Sequence, residues 1–102
     1  MGQTPGRIAS MPLTARERSA LKARAHPLEP VVLVGHEGLS GSVLQEIDRA
    51  LAAHELIKVR AAGDDRHARK ALFGEICART GAEAVQQVGK VLVLWRPRPL
   101  EA

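Results

Sequence analysis

Aromatic residues are nearly absent from this chain of 102 residues: Phe73 and Trp95 stand alone, and there is no tyrosine. Modules that stack bases on aromatic sheet faces, such as RNA-recognition motifs and many OB folds, need more than that. If the chain binds nucleic acid, it does so mainly through backbone and charge. Cysteine is as scarce: the single Cys77 excludes an internal disulfide and fits a reducing compartment. Long hydrophobic runs are missing as well. Val31–Val34 and Val91–Trp95 are far too short to span a membrane, and Met1-Gly2-Gln3-Thr4-Pro5-Gly6-Arg7 holds no apolar signal core. The expectation is a cytoplasmic protein with no membrane partner.

Metal-ligand spacing is also lacking. His26, His36, His54, His67 and Cys77 form no C-x-x-C, H-x-x-x-H or H-E-x-x-H pattern, so neither a metal nor a cofactor is expected. Cys77 falls within a helical stretch, where nothing lowers a thiol's pKa, and reads as a buried, inert side chain. Asp64 and Asp65 read as a helix cap before they read as an acid/base pair. No enzyme and no small-molecule substrate follow from these residues.

What is present is an ordinary globular composition, 45% hydrophobic and 25% charged, in a length that suits one domain. The net charge is +4, and its distribution is uneven. Residues 1–36 carry five basic and two acidic side chains, residues 37–55 one and four, and residues 56–102 nine and five. A polyanion surface would therefore draw on the flanks, around an acidic middle helix.

The middle of the chain holds its most informative stretch, Val31-Val32-Leu33-Val34-Gly35-His36-Glu37-Gly38-Leu39-Ser40. It reads as strand, G-x-x-G loop and helix start. Glycines let another backbone approach closely, and a helix N-terminus offers unpaired N–H groups and the positive end of its dipole, so the loop suits a phosphate. A tight strand-to-helix turn needs glycines for steric reasons too. The string alone leaves both readings open.

Around this unit the chain orders itself. Thr14-Ala15-Arg16-Glu17 matches a capping box, and the first helix runs from there to about Ala25, with Leu21, Ala25 and the stem of Arg18 on one face and Pro27 as its stop. The strand Val31–Val34 is apolar at every position, as a central strand covered on both faces would be. Leu39, Val43, Leu44, Ile47, Leu51 and His54 recur at helical spacing, His54 reading as a contact at the helix C-terminus. Leu56–Ala61 alternates, with Lys58 and Arg60 on its polar side. A third helix follows Gly63-Asp64-Asp65, with an apolar stripe of Ala68, Leu72 and Ile76, basic residues Arg66, Arg69, Lys70 and Arg79 around it, and Gly81 as its stop. The segments 84–88 and 91–96 form a hairpin through Gly89-Lys90. The order is α-β-α-β-α-β-β. This predicts an α/β single domain over residues 13–97, a mixed four-stranded sheet packed with helices, between a disordered N-terminal tail (1–12) and a short C-terminal tail (98–102).

Several strings in this order carry a resemblance: Leu13-Thr14 with Glu17-Arg18 and Leu21-Lys22, Ala25-His26-Pro27-Leu28, Pro30–Gly35 with Gly38-Leu39-Ser40, His54–Val59, Thr80-Gly81, and Val88–Leu94 ahead of Arg96-Pro97. Together they resemble the CRM domain, the chloroplast RNA splicing and ribosome maturation module, and in particular its small bacterial YhbY-like form. The resemblance implies a non-enzymatic RNA-binding domain, similar in fold to the C-terminal domain of bacterial translation initiation factor three. Its partner would be ribosomal RNA of the large-subunit precursor, with the protein a monomer. The resemblance points to Gly35, His36, Glu37, Gly38 and Ser40 at the loop and to Arg16, Arg18, Lys22 and Arg24 on the first helix as RNA-binding residues, and Lys58 and Arg60, on the polar side of the second strand, join them as candidates. Two positions depart from the family pattern: Glu37 stands where a basic or small polar residue is common, and Trp95 where tyrosine is. A protein-binding adaptor on the ribosome, using the acidic helix or the polar sheet face, is the alternative.

Overall fold

Thr14 caps the first helix as the sequence requires. Its hydroxyl accepts from Glu17 N–H at 3.0 Å while the Glu17 carboxylate accepts from Thr14 N–H at 2.9 Å, closing the capping box of helix α1, Ala15–Ala25. The structure is a computed structural model and describes residues 13–98. The tail expected at 1–12 and the last four residues lie outside this range. After α1 come β1 (Pro30–Val34), α2 (Gly41–His54), β2 (Leu56–Ala61), α3 (Arg66–Thr80), β3 (Glu83–Val88) and β4 (Val91–Trp95). The fold is α/β, three helices on a mixed four-stranded sheet of order β1-β2-β4-β3, with β1 parallel to β2 and the other pairs antiparallel.

The sheet separates two cores. On one face α2 and α3 bury Ile47, Leu51, Phe73 and Ile76 against Val32, Val34, Ile57, Val59, Leu92 and Leu94. On the other face α1 contributes only Leu21 and Ala25, which meet Leu56, Val85 and Val93 with Leu13 and Trp95. So narrow a helix covers part of the sheet, and no other described helix reaches this face.

That coverage corrects the expectation for β1. The strand lies at the sheet edge, and its side chains alternate: Val32 and Val34 are buried, whereas Val31 is 53% and Leu33 60% exposed. A uniformly apolar run says that a strand forms, but not whether a second layer reaches it. The stripe of α3 also differs. Ala68 is exposed, and the buried face is Arg69, Phe73, Ile76 and Thr80, backed by Leu72 and Cys77. Arg69 can be buried because its Nη1 donates to Gly63 O at 3.0 Å, although its Nε has no partner. His54 ends α2 as expected but is exposed, not part of the apolar face.

Arginines at the end of the chain tie the layers together. Arg96 Nη1 donates to Asp48 Oδ1 at 2.6 Å and to Thr80 O at 2.8 Å, and its Nη2 to Asp48 O at 3.1 Å. Arg98, assigned to the tail on sequence, is anchored as well: it donates to Ala52 O, Ala53 O and Glu55 Oε2 at the end of α2. Asp48 is therefore a structural partner and not a spare surface charge.

Candidate nucleic-acid interface

Three loops meet at one end of the sheet. The G-x-x-G loop follows β1, the 62–65 turn follows β2, and Gly89-Lys90 joins β3 to β4. Backbone bonds fasten them, since Ala62 N–H donates to Val34 O and Ala61 N–H to Lys90 O, each at 2.8 Å. Lys90 Nζ also pairs with Asp64 Oδ1 at 3.0 Å. Lys90 is the main reason the Asp64 carboxyl lies below its usual pKa, with Arg69 and His36 adding smaller effects.

Within the loop the two glycines differ. Gly38 has φ +89°, a conformation other residues adopt only with strain, and its N–H closes the turn by donating to Gly35 O at 3.0 Å. Gly38 is thus needed by the turn itself. Gly35 is not: its φ lies outside the left-handed region, and an added Cβ would meet only Glu37 Oε1, at an ordinary 3.6 Å. A glycine that the free fold does not require is what close approach by a ligand would require. Glu37 folds back so that its carboxylate lies over Gly35, beside the expected phosphate position. Ser40 is the N-cap of α2, its Oγ accepting from Val43 N–H at 3.2 Å, which fixes where the helix starts after the loop.

The basic residues fall into separate groups. Lys22 and Lys58 line a depression of about 280 Å³ with His26, Gln86, Val88 and Val91. Lys58 also has an internal duty, since its Nζ donates to Leu28 O at 2.9 Å and holds the turn between α1 and β1. Arg60 is exposed in the next row of the same sheet face, paired with Leu33 on one side and Val91 on the other. Arg18 reaches the other edge, where its Nη2 donates to Ala84 O at 3.4 Å, and Arg16 is exposed in the first turn of α1. Arg24 lines a different groove, beyond β1, with Leu28, Glu29, Val31 and His54. Sequence reasoning missed Arg69, Asp64 and Lys90 as supports of the loop, and Leu33 and Val88 as exposed apolar residues. No local pattern marks any of them, because each role depends on which strands and turns become neighbours.

A groove of about 470 Å³ runs between the loop and α3, lined by Gly35, His36, Gly38, Gly63, Asp64 and Arg69 among others. Among the described residues no group of three His, Cys, Asp or Glu side chains could hold a metal ion, and no helix is long and apolar enough to cross a membrane. Cys77 is half-buried, and burial, helped by the Glu83 carboxylate, pushes its thiol from 9.0 up to about 11. Alkylation by iodoacetamide at pH 8 should therefore run about a hundredfold slower in the folded than in the unfolded chain. The same shift means that this group costs the fold stability as pH rises from about 9 towards 11, where only the unfolded chain ionises freely.

The family model described as the CRS1 / YhbY (CRM) domain matches residues 13–96. The chain belongs to the CRM-domain family. A Haemophilus influenzae relative named "RNA-binding protein" is 46% identical over 85 residues, 83% of this chain and 86% of its own length. A Pseudomonas aeruginosa relative is 42% identical over 89 residues, 87% of this chain and 86% of its own. Among solved structures, a hypothetical Staphylococcus aureus protein determined in solution superposes with a TM-score of 0.78 at 28% identity, covering 88% of this chain and 94% of that one. In this CRM domain the G-x-x-G loop therefore sits on a scaffold shared with its relatives.

Proposed function

We propose that this protein is a non-enzymatic, cytoplasmic RNA-binding factor in ribosome assembly, which takes ribosomal RNA of the large-subunit precursor. The observation that carries the reading is Gly35: a glycine the free fold does not need, in the loop that leads into α2, on a fold whose other sheet face carries Lys58 and Arg60 of β2 beside Lys22 of α1. Membership in the CRM family and the name of the Haemophilus influenzae relative support RNA as the ligand class. In this reading the loop and the first N–H groups of α2 hold a phosphate, and the cationic face carries the neighbouring backbone. With two aromatic residues, sequence preference is modest.

Crosslinking in cells followed by sequencing of the attached RNA tests the identity of the ligand. Reads concentrated on large-subunit precursor RNA are expected, and reads spread over messenger RNA would contradict the assignment. Charge reversal tests the surface. Lys22→Glu with Arg60→Glu should weaken RNA binding by more than tenfold, since two phosphate contacts become repulsions. Both side chains are exposed, so stability should change by only about half a kcal/mol per site. Glu46→Lys on the acidic helix is the matched control, expected to bind at least as well as the parent.

A further inference from the structure

Resting on the reading of this protein as an RNA binder, we infer that the open half of the sheet is an aliphatic platform for unpaired bases. One row crosses all four strands on that face: Leu33 of β1 lies beside Arg60 of β2, Arg60 beside Val91 of β4, and Val91 beside Val88 of β3. Leu33 is 60% and Val88 55% exposed, one on each edge strand, so both apolar ends of the row stand open to solvent. The row lies between the G-x-x-G loop, at one end of its strands, and the depression that Lys22, His26 and Lys58 line together with the row's own Val88 and Val91.

Charge selects this face over the groove on the other side of the loop. The groove presents Asp64, Asp65 and Glu75 against Arg69 and His36, a lining that repels a second phosphate. The depression beside the open row has cationic and neutral lining residues and no carboxylate. A strand of RNA clamped at Gly35–Gly38 therefore continues across the sheet. Apolar side chains cannot bind phosphate, so Leu33 and Val88 face bases, while Arg60 between them keeps the phosphate contact already given to it. Four strands at about 4.8 Å spacing make a row roughly 14 Å long, room for the two or three bases that a four-stranded sheet carries in RNA-recognition motifs. Aliphatic contacts replace the aromatic ones this chain lacks. The ligand class is thereby narrowed to unpaired segments of RNA, because a duplex keeps its base planes stacked inside.

The test compares the parent with the double variant Leu33→Thr, Val88→Thr. Threonine keeps the strand preference and removes apolar surface at exposed positions, so the fold should survive. The probes are a short single-stranded oligoribonucleotide of mixed sequence and an RNA duplex of the same length, titrated by fluorescence anisotropy over a range of salt. Single-strand affinity should fall roughly fivefold, duplex affinity should stay the same, and the salt slope should not change because no phosphate contact is lost. Leu33→Phe should raise single-strand affinity by adding a stacking surface. If the double variant and Leu33→Phe both bind single strands as the parent does, the platform is overturned and the face is left to a protein. An equal loss for duplex and single strand would also overturn it. A parent that binds neither probe in a salt-dependent way would instead bring down the RNA-binding reading itself, and the platform with it.

Discussion

Gly35→Asp is expected to lower RNA affinity at least tenfold, about 1.4 kcal/mol, while the protein melts within a few degrees of the parent. The substitution places a carboxylate where a phosphate would sit, and the site would then have to hold two anions or release one. The fold has little reason to object. Gly35 is not in the left-handed region, and its nearest obstacle is the flexible end of Glu37. Repulsion between the two carboxylates is screened by solvent and worth less than about 1 kcal/mol. The same exchange at Gly38 would not separate clamp from turn, because φ +89° penalises any side chain there before RNA is considered. Glu37→Lys should act in the opposite sense, removing the carboxylate that lies over Gly35 and tightening binding. Anisotropy titration with thermal melting of each variant checks both. A folded Gly35→Asp protein with parental affinity would reduce the G-x-x-G loop to a turn.

The second large effect concerns stability. Arg96→Met should cost about 2 kcal/mol and lower the melting temperature by on the order of 10 °C. The guanidinium joins Asp48 of α2 to the carbonyl of Thr80, the last residue of α3, from the end of β4. Methionine keeps the apolar stem and removes every donor. The Asp48 carboxylate is 60% exposed and turns to water at little cost, so most of the loss comes from the Thr80 and Asp48 carbonyls. Thermal denaturation followed by circular dichroism measures it, and an unchanged melting temperature would show that the arginine clasp is ornamental.

Much of the fold was legible because its signals are local. The capping box at Thr14 and Glu17, the helical period of Val43, Ile47 and Leu51, the alternation of Leu56–Ala61 and the glycine hairpin at 89–90 each involve residues a few positions apart. What escaped depends on residues far apart in the chain. The apolar run Val31–Val34 looks alike in an edge strand and a central one, and only the narrowness of α1 decides that Leu33 stays exposed. Arg69 reads as a surface charge until the Gly63 carbonyl arrives to accept from it. Asp48 reads as a free acid until Arg96 returns from the end of the chain. In the candidate site the loop was visible as a string, but the division of labour between its glycines was not, because φ is a property of the folded turn. The basic residues were visible too, while their sorting into a face shared by Lys22, Lys58 and Arg60 and a separate groove at Arg24 follows from strand order.

The salt dependence of RNA binding by the unmodified protein tests the central claim most directly. Engagement of about four to six phosphates by the loop and the cationic face predicts a log-log slope of affinity against salt of roughly −3 to −5. A flat response between low and physiological salt would contradict it and point to a protein partner on the ribosome.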